Sequence, residues 1–450
     1  MRSKKKIAIV GGGISGLTAA YQLNQKHEIT LFEKADRLGG NAYTHTTHDG
    51  ESVDIAVAAF GKHGYPNFYA LLAEVGIRPR LSPGSFMTLH DLEQKDGIAF
   101  TFGWDALRMQ GFRSLKPKSL KMVLNLFWGL TLSQRRHRAG GLSTMTVREL
   151  LDDVPAFTED ARIMLMSVFC LLSSMSGQEV MDAPAAFFIE KLRVHSDFLS
   201  VHSSYAARCV DLGTQTYIRA MSDRFSPRIV LNARIRGISR SDSAITLVME
   251  DGTKQVFDAV VLACNADQAL ALLESPTNDE KRILGAWKYK EGRIVLHRDH
   301  SSFPPKKLIQ AYTFLYTGGA QNFETSVSGA VWRLPQASKN CDYICTQHPN
   351  FPIREDLIEL DTVLRTPIFD AHSVAASPEL PKLNGVLNTY YCGSHFGFGL
   401  HEDAVTSAVK VGECLGVALR IPPPNRTNEV LEIVEDLSRW LWRRNLDARN

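Results

Sequence analysis

Ile7-Ala-Ile-Val10, Gly11-Gly-Gly13-Ile-Ser-Gly16 and Leu17-Thr-Ala-Ala-Tyr-Gln-Leu23 follow one another without a gap, and Glu28-Ile-Thr-Leu-Phe-Glu33 comes soon after. Four apolar residues in a row read as a buried strand, the glycines as a tight turn, and residues 17–23, rich in good helix formers, as a helix. The second apolar run reads as another strand, ending on an acid twenty positions beyond Gly13. Strand, glycine turn, helix, strand and acid at this spacing predict a dinucleotide-binding βαβ unit, where the glycines alone would say little. Each part has a physical task. Gly11 makes the turn, Gly13 lets backbone N–H groups approach a pyrophosphate, and Gly16 lets the helix lie close to the sheet. Ile14 and Ser15, within the turn, are expected at the cofactor with the glycines, and the N-terminus of the helix that follows favours negative charge. Glu33 is placed to accept hydrogen bonds from adenosine ribose hydroxyls and to repel a 2'-phosphate.

The rest of the composition sets bounds. At 450 residues the chain is long enough for two domains, and 44% hydrophobic with 22% charged residues is a globular composition, not a disordered or fibrous one. A net charge of +3 gives no argument for nucleic acid as a partner. Seven scattered cysteines make no disulfide framework, so free thiols and a cytoplasmic setting are expected. Cys341 and Cys345 have no second pair nearby, and no metal is expected. The basic start breaks into glycines after four apolar residues, too soon for a signal peptide. No apolar run reaches the ~20 residues of a spanning helix.

Two further segments carry a resemblance. Arg37-Leu-Gly39-Gly40 follows Glu33, and near the other end Leu387-Asn-Thr-Tyr-Tyr-Cys392-Gly393 runs into Ser394-His-Phe-Gly-Phe-Gly-Leu-His401-Glu-Asp403 and then a helix. They resemble the Gly-Gly motif and the C-terminal flavin-binding segment of the flavin-containing amine oxidase and phytoene desaturase superfamily. Residues 228–238, followed by a hairpin and the strand at 259–264, are similar to a third segment of that superfamily, in which the position of Ile235 lends its backbone to adenine. Asp267-Gln-Ala-Leu, Val295-Leu-His297-Arg-Asp299 and Pro367-Ile-Phe369-Asp bring the chain closest to the bacterial predicted NAD/FAD-dependent oxidoreductases within it. Two loops depart from that branch, Ala56-Val-Ala-Ala-Phe60-Gly61 and Leu212-Gly213-Thr214, both on the side expected to admit substrate.

The resemblance implies an α/β fold: a discontinuous Rossmann-like FAD-binding domain, residues 1–85, 206–266 and 385–420, with an inserted α+β substrate domain, residues 86–205 and 267–384. It implies FAD, held without a covalent bond, with Lys34, Arg37, Gly39, Gly40, Asn41, Ile235, Gly393, Glu402, Asp403 and Ala404 joining the first motif around it. The helix that starts near Ala404 should point its positive end at the flavin. His395 and His401 are the candidate catalytic groups, histidine being the side chain that titrates near neutrality, although His401 is equally placed to start the helix. Phe396 and Phe398 are expected as apolar walls, and Arg293 either anchors a substrate carboxylate or makes a solvated surface pair. Lys288 and Lys290 match no motif that would give them a role.

Residues 106–148 hold nine Lys and Arg, including Lys121, Arg135, Arg136 and Arg138, and no acid. Between them lies Met122-Val-Leu-Asn-Leu-Phe-Trp128-Gly-Leu-Thr-Leu132, suited either to the surface of an anionic membrane or to a core helix with a basic rim. Ile421-Pro-Pro-Pro424 precedes an expected amphipathic helix in residues 421–450. Together these features predict hydride removal from a C–H bond of a small or lipid-like, fatty-acyl type of substrate. Amine oxidation, redox-neutral double-bond isomerisation and a non-catalytic flavoprotein are the alternatives, and oligomeric state is left open.

Overall fold

The computed structural model describes residues 4–419 apart from 57–58, 62–63, 82–86, 96, 101–116, 195–207, 226–227, 242, 321, 334–336 and 339. The expected helix in 421–450, and Arg108, Arg113 and Lys116, lie outside the described residues.

The principal elements run β1 (Lys6–Val10), α1 (Ile14–Leu23), β2 (Glu28–Phe32), α2 (Pro66–Glu74), β3 (Met87–Asp91) and β4 (Gly97–Phe100). Three helices follow, α3 (Pro117–Arg138), α4 (Glu159–Ser173) and α5 (Ala185–Val194). The chain continues through α6 (Gln215–Ser222), β5 (Ile229–Val230), β6 (Ile235–Arg240), β7 (Ile245–Met249), β8 (Lys254–Phe257) and β9 (Ala259–Leu262). It ends with β10 (Lys288–His297), β11 (Tyr312–Thr317), β12 (Glu324–Ala330), β13 (Ile344–Gln347), β14 (Ile358–Ile368), β15 (Thr389–Tyr391) and α7 (His401–Cys414).

A five-stranded parallel sheet has the order β15-β9-β1-β2-β5. Its centre, Ile7-Ala-Ile-Val10 against Ala259-Val-Val-Leu262, is buried throughout, the unbroken apolar pattern of strands covered on both faces. All ten residues of α1 are buried, because α7 and α6 pack over it. Gln22, fully buried, ties that layer together by donating to the Val417 carbonyl at 2.5 Å. The strands β6, β7 and β8 form a separate antiparallel sheet.

A seven-stranded sheet, β14-β10-β13-β12-β11-β3-β4, is antiparallel except where β11 runs parallel to β3. The helices α3 to α5 pack together beside it: α3 lies on α4 and α5, and α4 touches β12. Their apolar faces merge with residues of both larger sheets into one core that includes Phe169, Phe188, Trp287, Phe314 and Phe369. No helix among the described residues is long and apolar enough to cross a membrane.

Candidate functional site

The glycine turn after β1 is built by steric necessity. Gly11 has φ +109°, and a Cβ there would stand 2.7 Å from the Ala263 carbonyl oxygen on β9. At Gly16 a Cβ would fall 1.9 Å from the Gly11 carbonyl oxygen, so helix and turn touch backbone to backbone. Gly13 differs: its φ is −70°, and a Cβ there would meet nothing within 4 Å. It borders open space at the start of α1, where no side chain caps the first N–H groups. Those donors and the helix dipole make an anion cradle.

The second glycine pair supports the first. Gly39 and Gly40 have φ of +105° and +60°, the Gly39 N–H donates to the Gly12 carbonyl at 2.8 Å, and a Cβ on Gly40 would lie 3.2 Å from the Gly13 Cα. Arg37 closes this turn by donating to the Gly40 carbonyl at 2.9 Å, with its guanidinium 4.0 Å from the centre of the Tyr43 ring. The nearly buried Glu33 carboxylate accepts from the N–H groups of Gly12, at 2.5 Å, and Ala35, at 2.8 Å.

A cavity of about 740 Å³ runs from this cradle to the start of α7. At its far end the 393–401 turn is pinned by Ser407, whose hydroxyl accepts from the Gly393 N–H at 3.0 Å, and by Asp403, which accepts from the Leu400 N–H at 2.8 Å. Two histidines belong to this wall. His401 Nε2 meets the Tyr217 hydroxyl at 2.8 Å, and its ring packs edge-on to Phe60 and Phe68. His395 sits over Gly393, where a Cβ would strike its ring, with Trp287 edge-on at 5.3 Å. Burial pushes both imidazoles down to about 4, so both are neutral at pH 7.

Residues 14–291, more than half of the sequence, match the family described as flavin containing amine oxidoreductase. The chain belongs to that family. Curated relatives of this oxidoreductase include coproporphyrinogen III oxidase of Mycobacterium tuberculosis, 47% identical over 81 residues, which is 17% of either chain. The match thus spans well under a fifth of the length of that relative. Among solved structures, a CLA-producing fatty acid isomerase from P. acnes superposes with a TM-score of 0.66 at 15% identity, covering 93% of this chain and 100% of the other. A cyclohexylamine oxidase from Brevibacterium oxydans does so with a TM-score of 0.66 at 14% identity, covering 92% and 99%. At these identities the likeness is one of fold.

FAD is the cofactor of this family member, and the cavity fits it: an open glycine at a free helix N-terminus in the middle, an acid at one end and the α7 N-terminus at the other. Of the residues expected at the cofactor, Gly11, Gly13, Ile14, Ser15, Glu33, Lys34, Arg37, Gly39, Gly40, Asn41, Ile235, Gly393 and Ala404 line the cavity together, as do His395 and His401. Gly16 lies behind them, in the helix–turn contact.

Five expected residues stand elsewhere. Glu402 faces away from the cavity and caps α2, accepting from the Asn67 N–H at 3.0 Å and the Phe68 N–H at 2.8 Å. Asp403 is the helix-start acid described above. Phe396 packs beside His395 against the main core, and Phe398 packs on Phe187, so both back the wall without forming it. Arg293 does not line the cavity: it is exposed and paired with Asp361 at 2.7 Å, the solvated pair of the two readings open to it. Lys288 pairs with Asp370, and Lys290 with Glu179 at 2.5 Å. Cys341 and Cys345 are buried free thiols.

The sequence reading missed Lys191. Fully buried on α5, it donates to the carbonyls of Leu172 and Phe398 at 2.6 Å each, and its ammonium lies 5.4 Å from the Phe369 ring centre. Burial pushes the Lys191 ammonium down and the Asp403 carboxyl up, while their mutual attraction opposes both shifts. Lys191 therefore holds the 393–401 turn from behind. Its one signal in sequence is a lysine at an apolar phase of Ala-Ala-Phe-Phe-Ile-Glu-Lys191-Leu.

Proposed function

We propose that this FAD-dependent oxidoreductase takes hydride from a C–H bond of a hydrophobic substrate of fatty-acyl or lipid-like type. The observation that carries the reading is the charge of the cavity. Glu33, at the ribose end, is the one acid among the described residues that line it, against Lys34, Arg37, Arg236 and Arg365. Apart from these, the residues that line the cavity, among them Ala56, Leu364, Thr366, His395, Leu400 and His401, carry no formal charge once burial has held both histidines neutral. An ammonium substrate finds no carboxylate there, whereas an acyl chain needs none.

Bound FAD supplies the acceptor of the electron pair. The chain supplies the rest. The α7 N-terminus favours negative charge at the end of the cavity. His395 and His401 present uncharged nitrogen-bearing walls, and the layer formed by Phe187, Phe369 and Phe398 keeps water from the back of the turn. Cys264 is the cysteine that lines the cavity, and burial raises its thiol to about 12. A protonated thiol is a poor nucleophile, which supports a cofactor held without a covalent bond.

The test is anaerobic absorbance of the flavin-loaded protein titrated with oleate, linoleate and their esters, and separately with putrescine and cyclohexylamine. Bleaching by a fatty-acyl compound with no response to either amine is the expected outcome. Bleaching by an amine alone overturns the substrate class, and conversion of linoleate to a conjugated isomer without net bleaching overturns net oxidation in favour of isomerisation.

A further inference from the structure

One face of helix α3 is exposed and apolar. Leu120, Leu124, Phe127, Trp128 and Leu132 are 38–63% exposed, five of the eleven exposed large apolar side chains among the described residues. On a helix of 3.6 residues per turn they fall within an arc of about 140°. Lys121, Arg135 and Arg138 fall within the same arc, towards the two ends of the stripe along the helix axis, and the helix Pro117–Arg138 contains no Asp or Glu. The opposite face is fixed: Met122, Leu126 and Leu130 are buried, and a Cβ on Gly129 would stand 2.2 Å from the Phe157 ring. The helix therefore cannot turn its apolar stripe inward. Arg136 lies off the stripe and pairs with Asp153.

We propose that this face of α3 docks the protein on the surface of an anionic lipid bilayer, with the aromatic pair Phe127 and Trp128 below the headgroups and Lys121, Arg135 and Arg138 among the phosphates. Three features select lipid as the occupant. The stripe runs along a single helix, which can lie in the plane of an interface. Its charges are of one sign, the complement of an anionic leaflet, and they sit on the apolar face itself, where a basic side chain can reach headgroups while its neighbours enter the acyl region. A second copy of the chain would instead set these like charges against each other. The 33 Å length of a 22-residue helix gives the contact enough extent to orient the molecule. Behind α3, α5 carries Phe187 and Lys191 to the 393–401 turn, so the docked face is one helix layer from the cavity. The proposal stands on the surface alone and does not depend on which substrate the flavin oxidises.

The experiment is co-sedimentation of the flavin-loaded full chain with vesicles of phosphatidylcholine, with and without phosphatidylglycerol, at low and high salt. The protein is expected to pellet with the phosphatidylglycerol vesicles at low salt and to be released by high salt. The double variant Phe127→Asp/Trp128→Asp should lose more than about tenfold in partitioning, since both aromatics forfeit their apolar burial. Lys121→Gln and Arg135→Gln should each cost about fivefold on anionic vesicles and nothing on neutral ones. All four residues lie outside the cavity, so the flavin spectrum of each variant should match that of the parent and thereby report intact folding. The proposal is overturned if the parent stays in the supernatant with both vesicles, if the aspartate variant still pellets, or if the parent is a dimer in solution that the aspartate variant converts to monomer.

Discussion

Gly13→Val separates a glycine needed by the ligand from one needed by the fold. At Gly13 the backbone is already in a conformation that valine adopts readily, and the added Cβ meets no protein atom within 4 Å, so the apo fold should tolerate the change. The side chain would instead project into the cavity, between the α1 N-terminus and the pyrophosphate. Losing two charge-assisted N–H contacts at ~1.5–3 kcal/mol each amounts to ~3–6 kcal/mol, or a Kd raised by about 10²–10⁴. Gly16→Val is the contrast, because its Cβ would lie 1.9 Å from the Gly11 carbonyl oxygen and the βαβ unit itself would have to open. Apo protein is titrated with FAD, reading bound flavin absorbance and the melting temperature together. The parent and Gly13→Val should melt alike without FAD, and the parent alone should rise with it. Tight, stoichiometric FAD on Gly13→Val would refute the cradle. A low melting temperature for apo Gly13→Val would show that the glycine serves the fold.

Other consequences follow from buried charge. Glu280 and Arg240, with side chains 1% and 2% exposed, are doubly bonded, and Glu280 also accepts from the Tyr391 hydroxyl, so Glu280→Gln should cost ~3–5 kcal/mol in urea denaturation at pH 7. Those partners hold the Glu280 carboxyl down to about 2, so its contribution is complete above the ordinary carboxylate range and fades as pH falls toward 2; a gap to the variant that stays constant with falling pH would contradict this. Because His395 and His401 are held near 4, the rate of flavin reduction should show no histidine inflection between about pH 5 and 8, and an inflection near 6.5 that His395→Gln removes would refute their neutrality. Lys191→Met should lower the melting temperature by stranding Asp403, and Asp403→Asn in the same chain should restore part of the loss; an additive double variant would mean that the two are not coupled.

What could be read from the sequence was what is local. Residues 7–33 carry their strand, turn, helix and strand in consecutive positions, and a glycine that has no room for a side chain announces itself in one letter. The contact of Gly39 and Gly40 with the first glycine turn was accessible through a short pattern at a short distance. The parts that escaped depend on partners far along the chain or on which face a residue takes. Lys191 draws its meaning from Phe398, 207 positions away, and its apolar phase in the helix does not say what the charge meets. Glu402 and Asp403 are neighbours about 100° apart on a helix, so they serve different surfaces, and Glu402 turns to the N–H groups of α2. Arg293 alternates outward on β10 while Ile294 is buried, which leaves it to Asp361 and solvent. Phe396 and Phe398 were legible as apolar and near the site, but not as lying behind its wall.

The position of β15 and α7 in the chain bears on how the molecule is made. The parallel sheet draws β15 from residues 389–391 to sit beside β9, and one end of the cavity is the start of α7 at residue 401. Everything up to residue 401 must therefore leave the ribosome before the FAD pocket has its second end. Until then β9 offers an open edge and the 7–33 unit lacks the helix that covers α1, a surface that chaperones recognise. FAD can bind tightly only once α7 has been made, and truncation before residue 401 should yield a colourless, protease-sensitive product however intact its N-terminal motif.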